Sequence, residues 1–170
     1  MAARRPWWAA FLLFFLVHPE VLSAAPPRRH DTEAKLLAHL QRESNPIKKA
    51  KLEVRLGRVR LLQAIAAFDR GSMQETNRLL GAYMETLNSC WTRLKNSGRI
   101  AHKKPAGFKQ LDIELREDSR YLEDLRRRIP YEERAKADQV AREVDQMRNE
   151  VLRALFPPMP LRKGEKKSKK

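Results

Sequence analysis

Between Asn45 and Gly71 the chain carries an apolar seam on two sides of one predicted helix, and this double seam limits the folds open to it. One seam runs Ile47, Ala50, Val54, Gly57, Leu61, Ile65 and Phe68. The other runs Leu52, Leu56, Val59 and Ala66. Steps of three and four residues keep side chains on one helical face, so a helix with two such faces must be covered by neighbours on both sides. The stretch is therefore expected to be a central helix. Asn45-Pro46 supplies its start, with Asn as cap and Pro at the first helical position, and Gly71 ends it near Arg70.

Ser72-Met73-Gln74-Glu75 has the pattern of a capping box and restarts the chain at once, which requires a tight reversal. The returning helix places Leu80, Tyr83, Met84, Leu87, Trp91 and Leu94 on one face and stops near Gly98. From Phe108 the spacing becomes heptad-like: Phe108, Leu111, Leu115, Leu122, Leu125 and Ile129, broken by Pro130. Asp118 stands where the next apolar residue is due; it either fixes register or pairs with a basic residue, or, by a small rotation toward Ser119, lies at the surface, which is the leading expectation. A further helix from about Tyr131 to Phe156 repeats the pattern as Ala137, Val140, Val144, Met147, Val151 and Leu155. Before the central helix, Asp31 or Thr32 caps a short helix to about Glu43, with Leu36, Leu37 and Leu40 on its apolar side. The expected fold is all-α: two long antiparallel helical hairpins packed as a four-helix bundle, plus the short N-terminal helix and a disordered basic tail.

The segment from Ala64 to Glu75 is similar to the helix-turn-helix junction of a tetratricopeptide repeat. The likeness covers one junction, Thr76 stands where that repeat has Ala, and no second copy follows at about 34 residues. What it implies is a tight antiparallel turn.

The N-terminus has the layout of a secretory signal peptide, residues 1–24: Arg4 and Arg5, an apolar run from Trp7 to Val17, and small residues at Ser23 and Ala24. The run falls well short of the ~20 residues of a spanning helix, and an uncleaved anchor is the alternative to a cleaved signal peptide. Residues 25–30 read as an extended spacer, 31–156 as the helical domain, and 157–170 as the basic tail. The protein is thus expected to be exported, to the periplasm or beyond, in association with the envelope. Cys90 is the single cysteine, which excludes an intramolecular disulfide; it reads as a small core residue or as an intermolecular thiol.

Thirty-six Lys and Arg against twenty-one Asp and Glu give a net charge of +15. The excess is concentrated in the central helix, in the loop from Asn96 to Gly107, and in the tail. Lys48, Lys51, Arg55 and Arg58 recur at helical spacing and form a strip between the two seams. Such a strip is either a solvated flank or an anion-binding surface. Arg99, Lys103 and Lys104 of the loop, and Arg162, Lys163, Lys166, Lys167, Lys169 and Lys170 of the tail, complete the candidate anion-binding set. No aromatic residue is interleaved with the tail, so single-stranded nucleic acid is not an expected partner.

Catalytic patterns are missing. No Glu-x-x-His, Gly-rich phosphate loop or Gly-x-Ser-x-Gly occurs, and His30, His39 and His102 lie in separate segments. Neither an enzyme nor a bound cofactor or metal is expected. The leading expectation is a non-enzymatic interaction protein of the cell envelope. It would hold a protein partner or a second copy through helix faces, and anionic lipid or wall polymer, including peripheral membrane contact, through basic segments. A periplasmic holdase-type chaperone and a helical ligand-binding or sensor domain are the alternatives.

Overall fold

The computed structural model describes residues 32–158. The expected signal peptide, the spacer and all of the tail beyond Pro158 lie outside the described residues. Within them the protein is all-helical, with five helices packed together: α1 (Glu33–Arg42), α2 (Pro46–Asp69), α3 (Met73–Lys95), α4 (Phe108–Arg128) and α5 (Ala135–Leu155). A single 3-10 turn, Tyr131–Glu133, precedes α5.

The central helix starts as its sequence dictates. Asn45 Oδ1 accepts from the backbone N–H groups of Ile47 (2.9 Å) and Lys48 (3.2 Å), leaving Pro46 at a position that needs no donor. It ends in a Schellman turn. Ser72 N donates to Ala67 O (3.0 Å) and Gly71 N to Phe68 O (2.8 Å), with Gly71 at φ 76°. The capping box expected at Ser72 does not form, since Ser72 makes no side-chain cap and Glu75 is taken by Arg78 at 2.7 Å. A bidentate charged partner one turn away outcompetes a single neutral N–H for the carboxylate.

The start of α2 meets the end of α3, through Ala50 with Cys90 and Glu53 with Arg93, and the end of α2 meets the start of α3, through Ala64 with Thr76. Helix α4 packs along α5, α2 also touches α4, α3 touches α5, and α1 lies on α2. One apolar cluster joins α2, α3, α4 and α5, and includes the seam residues Ile47, Ala50, Val54 and Leu61. All six expected face residues of α3, all six heptad residues of the α4 segment and all six of α5 are buried. The second seam of α2 is covered less fully: Leu56 is buried, while Leu52, Val59 and Ala66 are half-buried. Helix α1, with Leu36 buried, lies on this helix and is too short to cover the whole seam.

Two further expectations need correction. The last helix does not begin at Tyr131. Arg134 folds back so that its Nη2 and Nε donate to Ile129 O (3.0 and 3.3 Å), which closes the Pro130 turn and delays α5 to Ala135. Asp118 is not at the surface but fully buried in the α4 heptad seam. It stays there because polar groups on α2 and α3 reach it. Arg58 Nε donates to Asp118 Oδ1 (2.5 Å) and Tyr83 Oη donates to Asp118 Oδ2 (3.0 Å).

Candidate anion-binding groove

Helix α1 and helix α2 are joined by three residues, Glu43 to Asn45, and the chain reverses over them. Glu43 N donates to His39 O (3.0 Å), and Glu43 Oε1 accepts from Asn45 N (2.9 Å). At the other end of α1, Arg60 Nε pairs with Glu33 Oε1 (2.9 Å), while Arg60 Nη1 donates to Ala82 O (3.0 Å) and Thr86 Oγ1 (2.6 Å) of α3. Fastened at both ends, α1 runs back along α2. The last turn of α1 is thereby set beside the first two turns of α2.

Between them lies a hollow of about 400 Å³. Its α2 wall is Lys48, Lys51, Leu52 and Arg55, and its α1 wall includes His39 and Arg42. The cationic side chains are exposed, and Leu52 on the same lining is half-buried. Among the described residues Glu43 is the one acid on the lining, and its Oε1 accepts the Asn45 backbone N–H. Among the described residues no carboxylate pairs with the side chains of Arg42, Lys48 or Lys51. Arg42 of α1 and Lys48 and Lys51 of α2 thus bring like charge to one hollow from two helices.

Other hollows of similar size are balanced. One of about 560 Å³ beside Asn88, Thr92 and Asn96 holds Arg93, but Glu53 grips that guanidinium twice, at 2.8 and 3.0 Å. Another of about 490 Å³ is lined by Arg120 and Arg127 together with Glu123 and Asp124.

The candidate strip on α2 divides after Arg55. Arg58, one turn further on, points across to α4, where it meets Asp118, Glu114 (2.9 Å) and Glu117 (3.0 Å), and it stacks over the Tyr121 ring at 5.2 Å. Its charge is satisfied inside the protein and it does not line the groove. Arg99, Lys103 and Lys104 are exposed in the α3–α4 loop, also away from the groove lining. Arg162, Lys163, Lys166, Lys167, Lys169 and Lys170 lie outside the described residues.

His39 and Arg42 were missing from the sequence-based set, although a signal was present. Their spacing of three places them on one face of α1, and the short link before Pro46 brings that face to the start of α2. The buried polar pair Glu53 and Arg93 was missed as well; Glu53 sits at 5% exposure and also accepts from Ser89 Oγ (2.8 Å). Beside it Cys90 is fully buried, with Sγ 3.4 Å from Ala50 O, and burial together with the Glu53 charge raises its thiol pKa. Such a thiol is neutral and shielded, as suits a core residue.

Among the described residues no group of three or more His, Cys, Asp or Glu is placed to hold a metal ion, and no helix is long and apolar enough to cross a membrane. Compared with family models, curated proteins and solved structures, the chain matches none.

Proposed function

We propose that this is an exported, non-enzymatic helical interaction protein of the cell envelope, built as two antiparallel hairpins closed into a four-helix bundle. Its basic segments attach it to an anionic surface, lipid or wall polymer, and its helix faces hold a protein partner or a second copy. The observation that carries this reading is the α1–α2 groove. Two separate helices contribute Arg42, Lys48 and Lys51 to one hollow, and among the described residues no carboxylate pairs with these three side chains, whereas half-buried Arg58, Arg60, Arg93 and Arg148 are matched with carboxylates. Unneutralised, converging positive charge supports binding of an external anion. The N-terminal pattern of Arg4, Arg5 and the apolar run to Val17 supports export, which puts lipid headgroups and wall polymer within reach.

The test is co-sedimentation of the exported chain, with and without Arg162 to Lys170, against anionic vesicles and purified wall material at low and physiological salt. The expected result is binding that weakens with salt and with loss of the basic residues, each contributing on the order of 1 kcal/mol near an anionic surface. Absence of binding to both materials at low salt would overturn the reading.

A further inference from the structure

The two ends of the bundle are unlike. At one end the start of α2 meets the close of α3, through Ala50 with Cys90 and Glu53 with Arg93, and Gly107 lies beside Leu94 and Ile47. Trp91 reaches Phe108 at the start of α4 (ring centroids 6.1 Å) and Glu150 near the close of α5 (2.8 Å). The α3–α4 loop and the close of α5 therefore share this end. From Lys95 to Lys109 the chain carries Lys95, Arg99, Lys103, Lys104 and Lys109, with neither Asp nor Glu among them. Lys95 stands over the Trp91 ring at 5.2 Å; the others are exposed, and among the described residues no carboxylate pairs with them. Large apolar side chains are exposed here too, Ile100 at 51% in the loop and Phe156 at 74% directly after α5. The opposite end is balanced. There Arg78 pairs with Glu75, Arg126 with Asp138, Arg127 with Glu123 and Arg128 with Asp69, and the exposed Tyr131 is followed by Glu132 and Glu133.

We propose that the protein docks end-on to an anionic lipid bilayer through the α3–α4 loop and the close of α5. Ile100 and Phe156 enter the interface beneath the headgroups, while Arg99, Lys103, Lys104 and Lys109 meet the phosphates. This rests on the reading that basic segments attach to an anionic surface, and commits it to one surface and one orientation. Cations alone would suit any polyanion. Exposed apolar side chains set among unpaired cations suit a surface that lays anionic headgroups over hydrocarbon; a wall polymer or free phosphate has no apolar layer to receive them. The orientation follows from distance. At 1.5 Å per residue, α4 alone separates the two ends by about 30 Å. That is several times the screening length of about 10 Å at 0.1 M salt, so charge at the far end contributes little at the surface.

The experiment titrates the exported chain with phosphatidylcholine vesicles, with and without phosphatidylglycerol, at low and physiological salt, and with purified wall material. Ile100→Trp, Phe156→Trp and Tyr131→Trp are read in parallel for quenching by lipids brominated on their acyl chains, above the level of the wild type. The wild type is expected to bind the vesicles that contain phosphatidylglycerol, with quenching added at positions 100 and 156 and none at 131. Lys103→Glu, Lys104→Glu is expected to lose about tenfold or more in affinity, and Arg70→Glu, Arg127→Glu, the same charge change at the other end, about twofold or less. Ile100→Asn, Phe156→Asn is expected to lose about tenfold with its salt dependence unchanged. Equal losses from the two charge variants, or quenching at 131 as strong as at 100 and 156, would overturn the orientation. Vesicle binding without quenching at 100 and 156 would remove the insertion and leave surface attachment standing. Binding to wall material with none to vesicles would do the same, and binding to neither would remove both readings.

Discussion

Asp118 occupies a position that heptad spacing reserves for an apolar side chain, and three helices meet at its carboxyl. Burial pushes that carboxyl up to about 6, against the lowering pull of the Arg58 charge and of the hydrogen bonds from Arg58 and Tyr83. Tyr83 stays a donor, because burial and the neighbouring Asp118 raise its phenol well above the ordinary value. In the unfolded chain Asp118 loses its proton near 3.8, so between there and about 6 the folded protein holds a proton that the unfolded chain has released. The stability contributed is fully present below the lower value and is lost as pH rises through the upper one, a change of roughly 3 kcal/mol. Urea midpoints measured across this window are expected to fall more steeply for the wild type than for Asp118→Asn; equal slopes would contradict the assignment. Tyr83→Phe removes a donor to a buried carboxylate. A loss of about 1.5–3 kcal/mol at neutral pH is expected, with a carboxyl titration by NMR showing the Asp118 midpoint moved upward. A downward move would show that Tyr83 does not stabilise the ionised form.

At the scale of elements, the helices are fixed by their ends as much as by their faces. Gly107 precedes α4 at φ 94°, and a Cβ there would stand 2.8 Å from Leu94 Cδ2 and 3.4 Å from Ile47 Cγ2. The loop is pressed against the end of α3 and the start of α2, so Gly107→Ala meets both backbone strain and a clash and is expected to cost about 1–3 kcal/mol. Gly81, inside α3, has open space around the same virtual atom. There Gly81→Ala is expected to stabilise by about 0.5–1 kcal/mol, through helix propensity alone. Thermal unfolding of the two variants should shift in opposite directions, and a shared direction would refute the geometric distinction. Most element boundaries were legible in sequence: Asn45-Pro46, Gly71 and Pro130 all mark ends as their backbone chemistry requires. The capping box was not, because sequence shows which partners Glu75 has within reach and not that Arg78 wins it.

Across the whole molecule, the excess of positive charge and the pairing of acids decide what is left for solvent. Carboxylates on α4 consume Arg58, Glu53 consumes Arg93 and Glu33 consumes Arg60, while the groove cations of α1 and α2 face one another. Salt screens exposed like charges over about 10 Å at 0.1 M. Raising ionic strength from low to physiological is therefore expected to increase the melting temperature of the wild type more than that of the Arg42→Glu, Lys51→Glu variant. The same increment in both would mean that groove repulsion does not bear on stability. The candidate site was half legible: Lys48, Lys51 and Arg55 followed from helical spacing along α2, whereas His39 and Arg42 came from a short helix read only for its cap and its apolar side, Leu36, Leu37 and Leu40.

By itself the sequence determined the all-helical class, the positions of the helices and the faces they bury, since periodicity and end signals act within a few residues of chain. Only the tertiary structure decided the fate of each charge. Whether Asp118 sat in water or in the core depended on Arg58 and Tyr83, sixty and thirty-five residues away. Whether a basic strip remained continuous depended on the carboxylates of α4 meeting Arg58 and not Arg55's neighbours in the groove. Electrostatic pairing acts through space at a few ångströms, and that distance is not written in spacing along the chain.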